Sequence, residues 1–525
     1  MQAPFTSLST AVPAQQKPVG TKAAPEPWYK GRFNGTWWVW AMAGALFCVY
    51  AAVSMRIHQR ILSNSYDLGI FEQVVRSYAE GHLPVSELKG PNFPILGDHF
   101  SPILALVAPF YLLWRSPETL LLVQAALIAL SVVPLTLWAR RTLSSSAGAV
   151  IGACYGLSWG IASAVGFDFH EVAFAVPLLA FSLAALGSDR LTAAACWALP
   201  LLVVKEDLGF TVLAIGLLIA RRGARRLGFV TAAVGVTGTL LALLVILPAF
   251  NPSGSFAYWF LADGPAGSPG TSAPGGGSGV LELLYRGTVG LVTPQTKVET
   301  LALTLSPTLF LAVRSPLLWA AVPTLAWRFF SNNYVHWGTG YHYSLVLMPI
   351  VFAAFIHALI RLDTGLESLR LYLVGAVAAL LLVLPNFPFC QLFTPATWRT
   401  DPRVAIAHTL MKKIPDGATV QASTYLVPQL TNRTSVSLYG YPVSRPFPQW
   451  IMVDTWVPER WRWPQTFEAE RASLDQNRHE GYRTVADRDG FVLLHLSHRP
   501  DSASSTRLID RETPRAAVPK GRLTQ

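Results

Sequence analysis

Long apolar runs alternate with short polar segments over the first three quarters of the chain, and these runs set the predicted secondary structure. A helix needs about 20 mainly apolar residues to cross a bilayer, and only helices or closed barrels satisfy their backbone polar groups there. Runs of this length predict helices. We predict eleven spans, at 37–55, 119–139, 146–165, 172–188, 191–204, 208–220, 227–249, 298–313, 316–330, 343–360 and 371–389.

The basic residues between these spans predict the orientation of the chain. Lys and Arg accumulate in cytoplasmic loops. With the N-terminus inside, the arginines at 140–141, 190, 221–226, 314, 361 and 370 all fall in loops on the same side. The apolar segment 101–114 would reverse this order if it spanned, so we predict a re-entrant or interfacial helix on the outer side. An odd number of spans leaves the C-terminal part outside.

The pattern changes after about residue 398, where apolar density falls and charge rises. RVAIAHTLMKKI and FEAERASLDQNRHEGY predict helices, whereas ATVQAS, SVSLYG and QWIMVDT predict strands. YRTVADRDGFVLLHL predicts a hairpin, because Asp489-Gly490 suits a tight turn. The predicted domains are a disordered cytoplasmic tail at 1–35, a polytopic transmembrane domain at 36–392, an extracytoplasmic α/β domain at 398–498 and a disordered tail at 499–525.

Composition supports this fold class, an α-helical multi-spanning membrane protein with a small C-terminal extracytoplasmic α/β domain. Hydrophobic residues make up 52% of the chain and charged residues 14%, against about 25% charged in soluble domains. This excludes an ordinary soluble enzyme. The net charge of +11 is explained by topology, so no nucleic-acid partner is predicted. The four cysteines have no metal-site spacing, and neither a phosphate-binding loop nor HExxH is present.

Candidate functional residues cluster at the predicted outer ends of the spans, in the motifs SYDLGIFEQ, LGDHFSP, FDFHE, KED, NNYVH and YHY. Ionisable groups near membrane depth are costly and usually face a protein interior or an aqueous cavity. Their restriction to one side therefore predicts one shared cavity suited to acid–base work or cation binding. The candidates are Asp67, Glu72, Asp98, His99, Asp168, His170, Lys205, Glu206, Asp207, His336, His342 and Tyr343.

Each candidate also has an interpretation without chemistry, and both interpretations stay open. Asp67 could cap the helix that follows it, and Asp98 could cap the interfacial helix. Asp168 stands at a span end, where polar residues meet water. The three charges at 205–207 could neutralise one another at the interface. An interfacial aromatic belt accounts for the tyrosines around His342.

The ordered motifs SYDLGIFEQ, LGDHFSPILALVAPFYLLW, LLLVQAALIALSVVPLTLWARR, FDFHEVAFAVPLL and KEDLGF resemble a family of predicted bacterial membrane proteins known only as a domain of unknown function. The resemblance covers about residues 37–495. That family in turn resembles, more distantly, the GT-C glycosyltransferases. These enzymes take a sugar from a polyprenyl-phosphate donor on the extracytoplasmic side of the membrane.

The GT-C resemblance implies a role for an acid in the first outer loop as catalytic base or acceptor-positioning group. Asp67 occupies the matching place, with Glu72 the next acid, and 101–114 matches a short outer helix. The usual paired acids are absent, which leaves the base and the use of a divalent cation open. The implied reaction is an inverting transfer in which Lys205 or a nearby histidine stabilises the departing phosphate.

The resemblance also implies the partners and the location of the protein. The partners would be membrane lipids, a polyprenyl-phosphate-linked sugar and an envelope glycan or protein acceptor, at the plasma membrane. Two other functions remain open from the residues alone. One is a transporter or flippase that uses the outer acids and histidines to bind its substrate. The other is a membrane scaffold that presents the C-terminal α/β domain to envelope polymers.

Overall fold

The computed structural model describes residues 35–254, 287–331, 333–363 and 365–497. Outside these residues lie the predicted tail at 1–35 except for residue 35, the predicted tail at 499–525, and the Gly/Pro/Ser-rich loop at 264–279. The described chain is mostly helical and ends in a small sheet domain. Its α-helices are α1 Trp37–Gln59, α2 Ile70–Ala79, α3 Ala108–Leu113, α4 Pro117–Thr142, α5 Ser145–Gly156, α6 Trp159–Val165, α7 Ala175–Gly187, α8 Leu191–Ala198, α9 Gly209–Arg221, α10 Arg225–Leu241, α11 Leu247–Phe250, α12 Gln295–Leu305, α13 Val322–Phe330, α14 Leu347–Leu362, α15 Leu366–Val383, α16 Pro395–Trp398, α17 Pro402–Met411 and α18 Phe467–His479.

The described residues contain four helices that are long and apolar enough to cross a membrane, Trp37–Gln59, Pro117–Thr142, Arg225–Phe250 and Leu366–Asn386. Helices α5 and α6 meet at a bend of 43°. If they are counted as one span, the described residues contain five such spans by length and composition. Five shorter apolar helices accompany them, at Pro102–Leu113, Glu171–Gly187, Leu191–Val203, Gly209–Arg221 and Leu347–Leu362. The membrane-protein class is therefore confirmed, whereas the count of eleven spans stays a prediction.

The region of the two predicted spans 298–313 and 316–330 is broken in the structure. Helix α12 ends at Leu305, and short 3-10 turns lead to α13. Leu309 and Phe310 both adopt left-handed backbone conformations, with φ of 51° and 60°. Pro307 and Pro316 lie in this stretch, and proline lacks the N–H that would continue a helix.

The centre of the bundle is formed by α4, α7 and α14, which the apolar sequence makes hydrophobic on all sides. Every residue of α14 from Leu347 to Leu359 is buried. Around this centre, α9 and α10 approach closely through glycine. A Cβ placed on Gly216 would lie 2.5 Å from the Ala232 nitrogen, and small residues allow such contacts between membrane helices.

The C-terminal domain contains a five-stranded sheet in the order β4-β3-β5-β7-β6. Earlier in the chain, β1 Val85–Ser86 and β2 Phe93–Pro94 form a separate two-stranded ribbon. The strands of the five-stranded sheet are β3 Thr419–Ala422, β4 Ser435–Leu438, β5 Trp450–Asp454, β6 Tyr482–Arg488 and β7 Phe491–Leu496. Strand β3 runs parallel to β4 and β5, and β7 pairs antiparallel with β5 and β6. The predicted helices, strands and hairpin of this segment are confirmed.

Direct contacts join the sheet domain to the loops that follow α1. Ser65 Oγ lies 2.9 Å from Thr424 Oγ1. Gln73 donates to the Val436 carbonyl at 2.8 Å, and Arg445 forms an ion pair with Glu87 at 3.0 Å. The sheet domain therefore packs directly on the segment that carries Asp67.

Candidate functional site

Asp67 lies in a single wide helical turn, Ser65–Gly69, between α1 and α2. The cap of this turn is Asn64, whose side-chain oxygen accepts from the Tyr66 N–H at 3.0 Å. The Asn64 N–H in turn donates to Asp168 Oδ2 at 2.7 Å. Asn64 thus makes the cap that was considered for Asp67, and the Asp67 side chain keeps 24% of its surface exposed.

Two histidines from distant parts of the chain meet beside Asp67. His170, just before α7, has its Nε2 3.8 Å from Asp67 Oδ1. Its ring stacks on that of His342, with the ring centroids 3.3 Å apart. One ligand atom from each of the three residues lies within 4.8 Å of the others, so this group could hold a metal ion.

Glu171 joins the histidine pair to a lysine. Its Oε2 lies 2.7 Å from His170 Nδ1, although the two are not aligned as a linear hydrogen bond. Its Oε1 accepts from Lys205 Nζ at 2.9 Å. Glu171 is fully buried, whereas the Lys205 side chain is 15% exposed. Glu171 therefore links the Lys205 ammonium group to the His170–His342 stack.

A second charged group also borders the Phe71 ring. Asp98 forms ion pairs with Lys89 at 2.9 Å and with His99 at 2.8 Å. The Phe71 ring makes edge contacts with both His99 and His170. Asp98, considered as a helix cap, instead pairs with Lys89 and His99.

The pKa of each acid in this region follows from its burial and its partners. Burial, together with the charges of Asp168 and Glu171, raises the pKa of Asp67 well above its usual value. Burial raises the pKa of Asp168 to about 8 and that of Asp207 to about 6. Burial also acts to raise the pKa of Glu171, but His170 and Lys205 outweigh it and hold that pKa well below the usual value. The ionised form of Glu171 is therefore stabilised, whereas the other acids hold a proton more readily than usual.

Burial has the opposite effect on the histidines and the lysine, because it disfavours their protonated, charged forms. Burial lowers the pKa of His170 to about 4 and lowers that of His342 well below the ordinary value. Burial acts to lower the pKa of Lys205 as well, but Glu171 and two neighbouring acids outweigh it and raise that pKa. The site thus combines neutral imidazoles, which can bind a metal, with the Lys205 side chain, which stays positively charged.

The remaining candidates surround this group. Glu206 accepts from the Phe100 N–H at 3.1 Å. Asp207 lines a cavity of about 20 Å³ together with Lys205, His342 and Tyr343. His336 stays at the edge, bonded to Ser331 Oγ at 2.8 Å and in ring contact with Tyr343.

Glu72 belongs to a different set of contacts. Its carboxylate is fully buried in α2 and accepts a hydrogen bond from Tyr111. Burial raises the pKa of Glu72, and its charged neighbour is Arg76 rather than the histidine pair. The hydrogen bond that Glu72 makes is thus with Tyr111 and not with the histidine pair beside Asp67.

Two features of the site were not singled out from the sequence. Glu171 anchors both His170 and Lys205, and the only signal was its position next to His170. An aromatic group also forms where Tyr66 meets the sheet domain, with its ring 4.8 Å from that of Trp463 and 5.8 Å from that of Tyr441. No local pattern marks this group, because its members are far apart in sequence.

The fold is similar to that of ArnT, a GT-C membrane glycosyltransferase. The chain superposes on the crystal structure of ArnT from Cupriavidus metallidurans bound to undecaprenyl phosphate with a TM-score of 0.51 and 12% identity, covering 88% of this chain and 98% of ArnT. The apo structure of ArnT matches over the same shares with a TM-score of 0.48 and 14% identity.

Residues 57–493 match the family of predicted membrane proteins DUF2079, and the chain belongs to this family. Both resemblances drawn from the sequence motifs are thereby confirmed at the level of family and fold. No curated protein matches the sequence significantly.

Proposed function

We propose that the protein transfers a sugar from a polyprenyl-phosphate donor to an envelope glycan or protein acceptor on the extracytoplasmic face of the membrane. The observation that carries this proposal is the partly exposed Asp67 carboxylate beside His170 and Lys205, on a fold shared with a protein crystallised with undecaprenyl phosphate. In the proposed topology the tail at 1–35 is cytoplasmic, 36–392 is the transmembrane domain, and the α/β domain at 398–498 is outside.

The proposed chemistry is an inverting displacement. The acceptor oxygen bonds to the anomeric carbon, the bond from that carbon to the phosphate oxygen breaks, and its electron pair leaves with the polyprenyl phosphate. Asp67 takes the proton of the acceptor hydroxyl, and a raised pKa makes its carboxylate a stronger base than an ordinary aspartate. Lys205, held in place by Glu171, stabilises the charge on the departing phosphate.

The same group fits a divalent cation, which we propose as a cofactor. Two imidazoles and one carboxylate suit zinc or a similar transition metal. Glu171 lies at the far nitrogen of His170, as acids do beside metal-binding histidines, and His342 Nδ1 is buried without a hydrogen-bond partner among the described residues. When bound, such a cation would act as a Lewis acid toward phosphate oxygens.

Metal content tests this part of the proposal. We expect purified full-length protein to retain about one transition-metal ion per chain by elemental mass spectrometry, and His170→Ala/His342→Ala to retain almost none, because two of three ligands are removed. His82→Ala, which changes an exposed histidine, should retain the ion. Equal metal content in the wild type and the double variant would contradict the site.

Envelope analysis tests the transfer reaction. We expect a strain lacking this protein to lose one sugar linkage from its envelope glycans or glycolipids, and the wild-type chain to restore it, as measured by mass spectrometry of extracted material. Purified protein in vesicles should also release polyprenyl phosphate from a matching polyprenyl-phosphate sugar. An unchanged set of linkages, with an altered distribution of lipid-linked sugar between the two leaflets, would favour the transporter instead.

A further inference from the structure

A cavity of about 470 Å³ lies at the end of the helix bundle opposite the candidate site. Helices α7, α9 and α14 each begin two to four residues after a residue of the candidate site and end at this cavity. They contain 13, 13 and 16 residues, which correspond to about 20–24 Å at a rise of 1.5 Å per residue. The cavity therefore lies a helix length away from the candidate site and is separate from it.

One arginine in the cavity is fixed by its neighbours. Arg222 bonds Asp189 Oδ1 at 2.6 Å, and its other terminal nitrogen lies 2.9 Å from His357 Nε2. A guanidinium group can only donate, so His357 Nε2 accepts and its Nδ1–H donates to Ser315 Oγ at 3.0 Å. This chain of contacts holds the Arg222 side chain in one position at the cavity wall.

Two further arginines in the cavity lack such partners. Arg221 and Arg361 line the same space, and in the described part of the chain neither side chain forms a hydrogen bond or ion pair with another residue. Apolar side chains, including Leu218, Leu317 and Ile360, form the rest of the wall. The cavity thus combines unbalanced positive charge with an apolar surface, which suits an amphiphilic anion.

We propose that this cavity binds the phosphate of an anionic phospholipid headgroup. Its volume falls within the range of about 300–1,000 Å³ that is typical of ligand sites, and basic pockets between membrane helices bind anionic headgroups. Arg221 and Arg361 contact the phosphate, Arg222 is held ready beside them, and the apolar wall contacts the first part of the acyl chains. The site is independent of the proposed transfer reaction.

Lipid binding to the full-length protein tests the proposal. The protein is purified in detergent, and its affinity for phosphatidylglycerol and for phosphatidylcholine is measured by native mass spectrometry. We expect Arg221→Gln/Arg361→Gln to bind phosphatidylglycerol at least about tenfold more weakly than the wild type, because two charge-assisted hydrogen bonds are lost. Arg225→Gln/Arg226→Gln removes the same charge from exposed positions outside the cavity and should bind like the wild type.

Two outcomes would overturn the proposal. Equal weakening in both double variants would mean that general charge, and not this cavity, attracts the lipid. Displacement of phosphatidylglycerol by millimolar inorganic phosphate would assign the cavity to free phosphate. Thermal unfolding of all three proteins at similar temperatures serves as the folding control, since neither the Arg221 nor the Arg361 side chain makes a contact that the fold needs.

Discussion

Replacing Asp67 by asparagine should lower sugar transfer by a factor of about 10² to 10⁴, the usual contribution of a positioned general base. Asparagine keeps the size of the side chain but cannot take the acceptor proton. The loss should appear in kcat measured with purified protein, a polyprenyl-phosphate sugar and its acceptor. The melting temperature should change little, because Asn64 and not Asp67 caps the Ser65–Gly69 turn.

Asp475→Asn is the matched control for this experiment. Asp475 lies on α18 with 57% of its side chain exposed, paired only with the neighbouring Arg478 in the described residues. The same chemical change there should leave transfer at the wild-type rate. If Asp67→Asn transfers sugar at a rate within tenfold of the wild type, Asp67 is not the general base. Lys205 and His170 would then be the next residues to replace.

Glu171→Ala is expected to destabilise the protein by about 3 kcal/mol, the lower end of the range for breaking a buried ion pair. The lower end applies because Lys205 keeps 15% of its side chain exposed. Removing Glu171 leaves the Lys205 ammonium without its 2.9 Å partner and frees the ring of His170. Chemical unfolding in detergent, followed by tryptophan fluorescence, measures the difference in the free energy of unfolding.

The double variant Glu171→Ala/Lys205→Met separates charge from packing. Methionine fills much of the lysine volume without burying a charge, so we expect the double variant to recover at least half of the stability lost in Glu171→Ala. Transfer should remain low in both variants. A double variant as unstable as the sum of the two single changes would mean that Glu171 acts through packing instead of through the ion pair.

The C-terminal domain could be predicted well from the sequence, whereas part of the membrane domain could not. Strand alternation and the Asp489-Gly490 turn are local signals, and β6 and β7 lie where they predict. The stretch between α12 and α13 is different, because its apolar composition suits a span while its prolines and the left-handed Leu309 and Phe310 interrupt the helix. Hydropathy alone does not detect such a break.

The candidate site could be predicted only as a set of span ends. The positive-inside pattern places Asp67, His170 and Lys205 at one face, and the structure does bring them together. The stacking of His170 on His342 depends on how α7 and α14 pack, which no local pattern encodes. Glu72, the next acid after Asp67 in the sequence, is buried in α2 against Tyr111, and this contact between distant segments has no local signal either.

The contact between Ser65 and Thr424 can form only late in the synthesis of the chain. The two residues are 359 positions apart, and a ribosome adding about 5–20 residues per second needs about 20–70 s to make the intervening chain. During that interval the Asp67 turn lacks its covering sheet domain. A chain terminated anywhere before β3 would therefore contain Asp67, His170 and His342 but lack the sheet domain that packs on the Asp67 segment.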